Sequence, residues 1–263
     1  MEKVTGKHVF DKNGRRISMN LQANICDPNK DFNLSMVKLE TIQDYSNVLS
    51  DFAKLLGVKN LGITAEEFKA ETERLLSLIS DNDQIANIKN GTYLPLVLPK
   101  LKSGDLGTAL EQYLEIVGKS YKKAFRNRNF CNYREGELKG MVKTVDGSRQ
   151  DQLIEKMKQG PVVVIFFPNS LQGFSVNASR EQMETLPEGF ILSGIEIIIA
   201  MIMYSEVLAR DYQTPGLDLA GLSWQSPGYS LIFRAGGDEL GFGYRDSLSG
   251  ADGDASSGLS FLG

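Results

Sequence analysis

The chain has little of two residue types that serve many catalytic and metal sites: among 263 residues there are two cysteines and one histidine. Two cysteines, Cys26 and Cys131, do not make the disulfide framework of a secreted domain, so we expect reduced thiols and a cytoplasmic protein. The lone histidine, His8, lies in a predicted surface hairpin around Asn13-Gly14. We therefore expect no catalytic histidine and no histidine-bound metal or cofactor. The N-terminal residues carry no apolar stretch, and we expect no secretory signal peptide.

Long hydrophobic runs are also missing, with one partial exception at residues 189–210, GFILSGIEIIIAMIMYSEVLAR. A membrane-spanning helix needs about 20 consecutive apolar residues, and Glu196 interrupts this run, so we predict no membrane insertion. Ser193 precedes Glu196 by three residues, which is the spacing of a capping box. We predict a buried apolar helix that starts at Gly194. The alternative is a half-buried Glu196 carboxylate with a raised pKa, available for acid–base chemistry.

Motifs for nucleotide binding and for hydrolysis are absent. Gly118-Lys119-Ser120 matches the end of a phosphate-binding loop, but Tyr113 stands where that loop requires glycine. No nucleophile elbow of the form G-x-S-x-G occurs in the chain. The spacing of Asp246, Asp252 and Asp254 fits no calcium-binding loop, so we interpret them as part of a solvated linker. We assign no catalytic residue, no metal and no cofactor.

Charge of positive sign is in slight deficit, with 29 basic against 33 acidic residues and a net charge of −4. Such a balance disfavours nucleic acid unless basic residues cluster locally. One cluster exists in residues 119–134, where basic residues alternate with aromatic ones. Its basic members are Lys119, Lys122, Lys123, Arg126, Arg128 and Arg134. Because Tyr121 and Phe125 fall on the apolar stripe of a predicted helix, we favour a solvated face or an acidic protein partner over nucleic acid.

Periodicity predicts several helices and strands. Thr64 and Glu67 form a capping box that begins one helix, and Gly57 ends the helix before it. The predicted helices cover residues 41–56, 65–79, 105–125, 148–159 and the apolar run. The predicted strands are an edge strand with two prolines at 92–99, a buried strand at 162–167 and a hairpin formed by 229–235 and 239–245.

The last fifth of the chain has a different composition, because eleven of the 26 glycines lie in residues 216–263. We interpret residues 247–263 as a flexible Gly/Ser-rich tail whose apolar end, Leu259, Phe261 and Leu262, contacts a partner. Residues 1–246 are predicted to form one globular domain, with 143–148 as a candidate waist. The predicted fold is α+β, with helices around a small, mostly antiparallel sheet. The alternative is α/β, since a helix separates the strands at 162–167 and 229–235.

Three classes of function are compatible with these patterns. The leading hypothesis is a non-catalytic adaptor or structural subunit of a larger cytoplasmic assembly, such as a secretion machine or a virus particle, with other protein subunits as partners. The first alternative is a carboxylate-dependent hydrolase or transferase that uses Glu196, Asp238 and Glu239. The second alternative is a nucleic-acid-binding protein that uses residues 119–134.

Overall fold

The computed structural model describes residues 8–18, 21–27, 32 and 34–263, and within these ranges it has an α+β fold. Lys7, at the start of the predicted hairpin, lies outside the described residues. The helices are α1 Ile42–Leu56, α2 Ala65–Ser80, α3 Leu106–Ala124, α4 Gln150–Gln159, α5 Val176–Gln182, α6 Ile195–Met203 and α7 Ser205–Leu208. The strands are β1 Leu94–Leu98, β2 Asn129–Asn132, β3 Val142–Thr144, β4 Val162–Phe167, β5 Phe190–Leu192, β6 Gly216–Asp218, β7 Leu222–Trp224, β8 Ser230–Ala235, β9 Glu239–Arg245, β10 Ala255–Ser256 and β11 Leu259–Phe261.

The first two helices begin and end where their local sequence predicts. The Thr64 hydroxyl accepts the Glu67 N–H at 3.2 Å, and the Glu67 carboxylate accepts the Thr64 N–H at 2.8 Å, so the predicted capping box is confirmed. A second capping box, formed by Thr41 and Asp44, begins α1. Gly57 ends α1 in the left-handed conformation with φ 67°, which glycine adopts without steric cost.

A four-stranded sheet in the order β1-β4-β11-β5 forms the first layer, and all of its strand pairs are antiparallel. β1 lies at an edge of this sheet, as its proline content predicts, because Pro95 cannot donate a backbone hydrogen bond. β4 lies inside the sheet and is almost entirely buried, which confirms the predicted strand at 162–167.

The second layer is a five-stranded sheet in the order β10-β6-β8-β9-β2. β8 and β9 form the predicted antiparallel hairpin, while β2 joins β9 in parallel and β10 joins β6 in parallel. β4 and β8 belong to different sheets, so the helix between them does not make the β-α-β unit of the α/β alternative. A separate two-stranded sheet pairs β3 with β7, which places Lys143 and Thr144 of the candidate waist in a ladder.

The prediction of a flexible C-terminal tail is wrong for residues 255–262. β11 lies between β4 and β5, and Leu259 and Ser260 are fully buried. Gly258, between β10 and β11, has a left-handed backbone with φ 66°. β10 before this turn pairs with the five-stranded sheet, and β11 after it pairs with the four-stranded sheet. The apolar–polar–apolar pattern of Leu259, Ser260 and Phe261 is typical of a strand, and the glycine-rich composition obscures it. The division into residues 1–246 and 247–263 stays a prediction.

The apolar run forms a buried helix, as predicted, but it begins differently. α6 starts at Ile195, and its residues through Ile202 are buried. The predicted capping box of Ser193 and Glu196 is wrong. The Ser193 hydroxyl lies 3.2 Å from the Ser260 hydroxyl, and the Glu196 carboxylate accepts the Gly194 N–H at 3.0 Å. Within the described ranges, no helix combines the length and the apolar character that crossing a bilayer requires.

Candidate functional site

A groove of about 590 Å³ lies where the end of α1 meets the first half of α3. The C-terminal residues of α1 and the loop at 57–62 form one side, and one face of α3 forms the other. The segment at 99–103 and Pro161 border the space between these two sides. A cavity of this size is in the range of sites that hold a small ligand or several side chains of a partner.

The groove face of α3 is a consequence of helical spacing. Leu110, Leu114 and Val117 of this helix are buried in the core. Gln112, Ile116 and Lys119 follow one another at intervals of four and three residues, so they share a second face, where Ile116 packs against the margin of the core. This face carries a half-buried apolar side chain between two exposed polar ones.

The side of the groove next to α1 is mainly apolar because the chain reverses direction at Gly57. Leu55, Leu56 and Val58 are half-buried around this turn, and Leu61 is buried behind them. Without the left-handed conformation of Gly57, the chain would continue along the axis of α1 instead of folding back along the groove.

Positive charge surrounds the groove. Its lining includes Lys100, Lys102 and Lys119, all exposed, against the single carboxylate of Glu115. None of the three lysines forms an ion pair with another residue in the part of the chain that the structure describes. Burial raises the pKa of Tyr113 to about 12. Its hydroxyl, like that of an ordinary tyrosine, is a neutral hydrogen-bond donor at physiological pH.

The basic residues predicted to act together at 119–134 make different contacts. Lys119 lines the groove, whereas Lys123 lies 3.8 Å from Asp51 and the Lys122 ammonium donates to the Arg128 carbonyl at 3.4 Å. Arg126 is exposed. Lys119, Lys122 and Lys123 are spaced along α3 so that they share one face, and a role of this stretch as a binding surface stays a prediction.

The two remaining arginines of that stretch hold parts of the protein together. The Arg128 guanidinium lies 5.8 Å from the Tyr121 ring and 5.5 Å from the Phe125 ring, and it donates to the Gly236 carbonyl. Arg134 lies 5.3 Å from the ring of Trp224 and forms an ion pair with Glu137 at 2.8 Å. These contacts within the protein explain the positions of Arg128 and Arg134, and no binding partner is needed to explain them.

The apolar residues predicted to contact a partner belong instead to this protein's own core. Leu259, Phe261 and Leu262 are 0%, 5% and 8% exposed. Leu259 and Phe261 lie in β11, and the Phe261 ring lies 5.0 Å from the ring of Phe190 on β5. Side chains this deeply buried offer almost no surface to a partner in this structure.

The carboxylates of the enzyme hypothesis do not converge. Asp238 is exposed in the hairpin turn. Glu239 accepts hydrogen bonds from the Cys131 thiol at 3.2 Å and the Tyr133 hydroxyl at 2.8 Å, and these bonds lower the pKa of Glu239. The bond to Glu239 raises the pKa of the Cys131 thiol, which makes it a weaker nucleophile at neutral pH.

Glu196 is fully buried, not half-buried as the acid–base interpretation expects. Its Oε2 accepts the Gln150 amide at 2.6 Å, and desolvation raises the pKa of Glu196. It does not line the groove. The side chain therefore faces protein atoms and not a space that a substrate could enter there.

Sequence reasoning missed a buried carboxylate and two half-buried arginines. Asp218 is fully buried and accepts the Arg245 Nε–H at 2.9 Å. Arg149 donates to the carbonyls of Met183, Leu186, Pro187 and Phe190, and Arg180 donates to those of Ala220, Leu222 and Pro227. The sequence gives no local signal for these contacts, because each joins segments that are distant along the chain.

No cluster of three or more potential metal ligands occurs in the described ranges. Comparison with protein families, with curated proteins and with solved structures found no match to this chain.

Proposed function

We propose that this chain is a non-catalytic adaptor subunit that docks a segment of another protein in the groove between α1 and α3. The observation that carries the proposal is the pairing of an apolar lining with lysines that have no ion-pair partner among the described residues. Apolar surface that is open to solvent and has a polar rim is typical of sites that bind other proteins. The setting we propose is a cytoplasmic assembly, such as a secretion machine or a virus particle.

The test is a comparison of two identical substitutions at different places. Ile116→Asp puts a carboxylate on the groove face of α3, whereas Ile42→Asp does the same at an exposed position at the start of α1, where an acidic residue is tolerated. Both tagged variants and the wild type are expressed in the native cell, and their neighbours are quantified by mass spectrometry. Circular dichroism melts verify that both variants are folded.

We expect Ile116→Asp to recover its specific partners about tenfold less than the wild type, because a buried unpaired carboxylate opposes docking. Ile42→Asp should recover them unchanged. Equal recovery by all three proteins would show that the groove is not the docking site. Cell fractionation of the wild type tests the cytoplasmic setting separately.

A further inference from the structure

The lining of the groove specifies more than an apolar partner. Leu55, Val58 and Ile116 provide the apolar surface, and the three lysines provide a rim on the segment at 99–103 and on α3. A segment that fills this space meets apolar atoms in the middle and ammonium groups at the edges. Interfaces with this arrangement take their affinity from the apolar centre and much of their specificity from charge at the rim.

The charge of the groove is opposite to that of the whole protein. Three lysines and one glutamate line it, while the chain as a whole carries −4. A local positive field on an acidic protein favours anionic groups at that place. Lysine is a point charge that pairs with a single carboxylate, and no arginine lines the groove to form a bidentate contact with phosphate.

A cavity on another side of α3 has the opposite charge. It contains Glu111, Glu115 and Glu135, so Glu115 borders both spaces.

A segment with basic side chains, if it bound in the groove, would face the three lysines directly. Repulsion of this kind excludes wrong partners as effectively as attraction selects the right ones.

We infer that the occupant of the groove is an acidic, amphipathic segment of a partner protein, whose apolar side chains enter between α1 and α3 and whose carboxylates pair with Lys100, Lys102 and Lys119. This inference rests on the proposed docking function. Tyr113 also lines the groove, and its hydroxyl donates a further hydrogen bond to a carboxylate or carbonyl of the segment.

The probes are two synthetic peptides of about 14 residues, with leucines at helical spacing on one face. They differ only in the other face, which carries glutamates in one peptide and lysines in the second. Binding to the full chain is measured by fluorescence anisotropy at about 50 and about 300 mM salt, since screening weakens exposed ion pairs. A single-stranded oligonucleotide of equal charge serves as a third probe.

The charge-reversal variant is K100E/K102E/K119E, and its matched control is K12E/K139E/K143E. The control reverses three exposed lysines that do not line the groove, so both variants have the same net charge. We expect the wild type and the control to bind the glutamate peptide about tenfold more tightly than the lysine peptide at low salt, with a smaller difference at high salt. The groove variant should reverse this preference.

Several results would overturn the inference. They are weak binding of both peptides, equal affinity of the wild type for the two, tighter binding of the oligonucleotide, and a groove variant that behaves like the control. Its failure is distinguishable from failure of the proposed function. If Ile116→Asp loses cellular partners while K100E/K102E/K119E retains them, the groove docks proteins but does not select acidic ones. If neither variant loses partners, docking in the groove itself is wrong.

Discussion

Two carboxylates are buried from solvent in the described part of the chain, and the protein holds them by different means. Asp218, in the five-stranded sheet, accepts a hydrogen bond from the Arg245 guanidinium at 2.9 Å. Glu196, at the start of α6, has no cation in contact and accepts from the Gln150 amide at 2.6 Å and the Gly194 N–H at 3.0 Å. The first is a buried ion pair, and the second is a buried acid among neutral donors.

The difference between the two sites lies in the charge state that each one supports. Burial raises the pKa of Asp218 to about 6, and the Arg245 charge opposes that rise, so Asp218 is ionised at neutral pH. Desolvation also raises the pKa of Glu196, but only hydrogen bonds oppose it. Glu196 is therefore held by neutral donors alone, whereas Asp218 is held by a cation.

Both shifts have the same sign. A carboxyl group whose pKa is higher in the folded state contributes its full stability below its ordinary pKa, and this contribution is lost as the pH rises through the folded value. For Asp218 the loss ends near pH 6. Glu196 contributes with the same sign through its own raised pKa.

The largest expected effect is that of Arg245→Leu. It leaves the Asp218 carboxylate buried without its cation, which costs about 3–5 kcal/mol of unfolding free energy at pH 8. Below pH 6 the cost should be smaller, because Asp218 then binds a proton and no longer needs a cation. Urea unfolding at pH 5 and pH 8 measures both values.

The control for that experiment is Arg234→Leu. Arg234 pairs with Asp252, but its side chain is 52% exposed, so its loss should cost under about 1 kcal/mol. An equal cost of Arg245→Leu at both pH values would show that Asp218 does not depend on Arg245 for its charge.

Gln150→Leu should have the next largest effect. The Gln150 amide donates to the Leu192 carbonyl at 3.0 Å as well as to Glu196, and both acceptors would lose a buried donor. We expect a loss of about 1–3 kcal/mol. Thermal and urea unfolding measure it, and Gln152→Leu at an exposed position of α4 is the matched control.

Features that depend on neighbouring residues can be inferred from sequence, whereas features that depend on distant partners cannot. Caps and periodicity predict α1, α2, α3 and the β8–β9 hairpin, because these signals lie within a few neighbouring residues. Strands β5, β6 and β11 contain only three residues each, which is too few for a clear sequence pattern. They form because neighbouring strands pair with them. Their pairing also decides burial, which is why the sequence alone predicts a flexible tail for a glycine-rich terminus that is apolar at alternate positions.

The groove is partly predictable for the same reason. Spacing places Gln112, Ile116 and Lys119 on one face of α3, but only the packing of α1 and the loop at 57–62 shows that this face is left open. The Asp218–Arg245 pair joins residues 27 positions apart, and it forms because β8 aligns β6 with β9. No local pattern contains that register.

The third prediction tests the charge state of Glu196. Because burial raises the pKa of Glu196, the unfolding free energy of the wild type should fall as the pH rises through that raised value. Glu196→Gln should remove this contribution to the slope, because glutamine does not titrate. Asp218→Asn is the control, since it destabilises the protein but removes only the Asp218 contribution, which ends near pH 6. Retention of the slope in Glu196→Gln would assign it to another group.

The smallest expected effect separates the two carboxylates that approach Arg245. Asp252 lies 3.6 Å from an Arg245 nitrogen, but its side chain is 27% exposed, whereas that of Asp218 is 2% exposed. Asp252→Asn should therefore cost about 0.2–1 kcal/mol at pH 7, and the loss should shrink when the salt concentration is raised, because solvent and ions screen the pair. The loss in Arg245→Leu should depend much less on salt. If Asp252→Asn instead costs as much as Arg245→Leu, then the partly exposed aspartate is the principal partner of the guanidinium, and the buried one is held mainly by the strands around it.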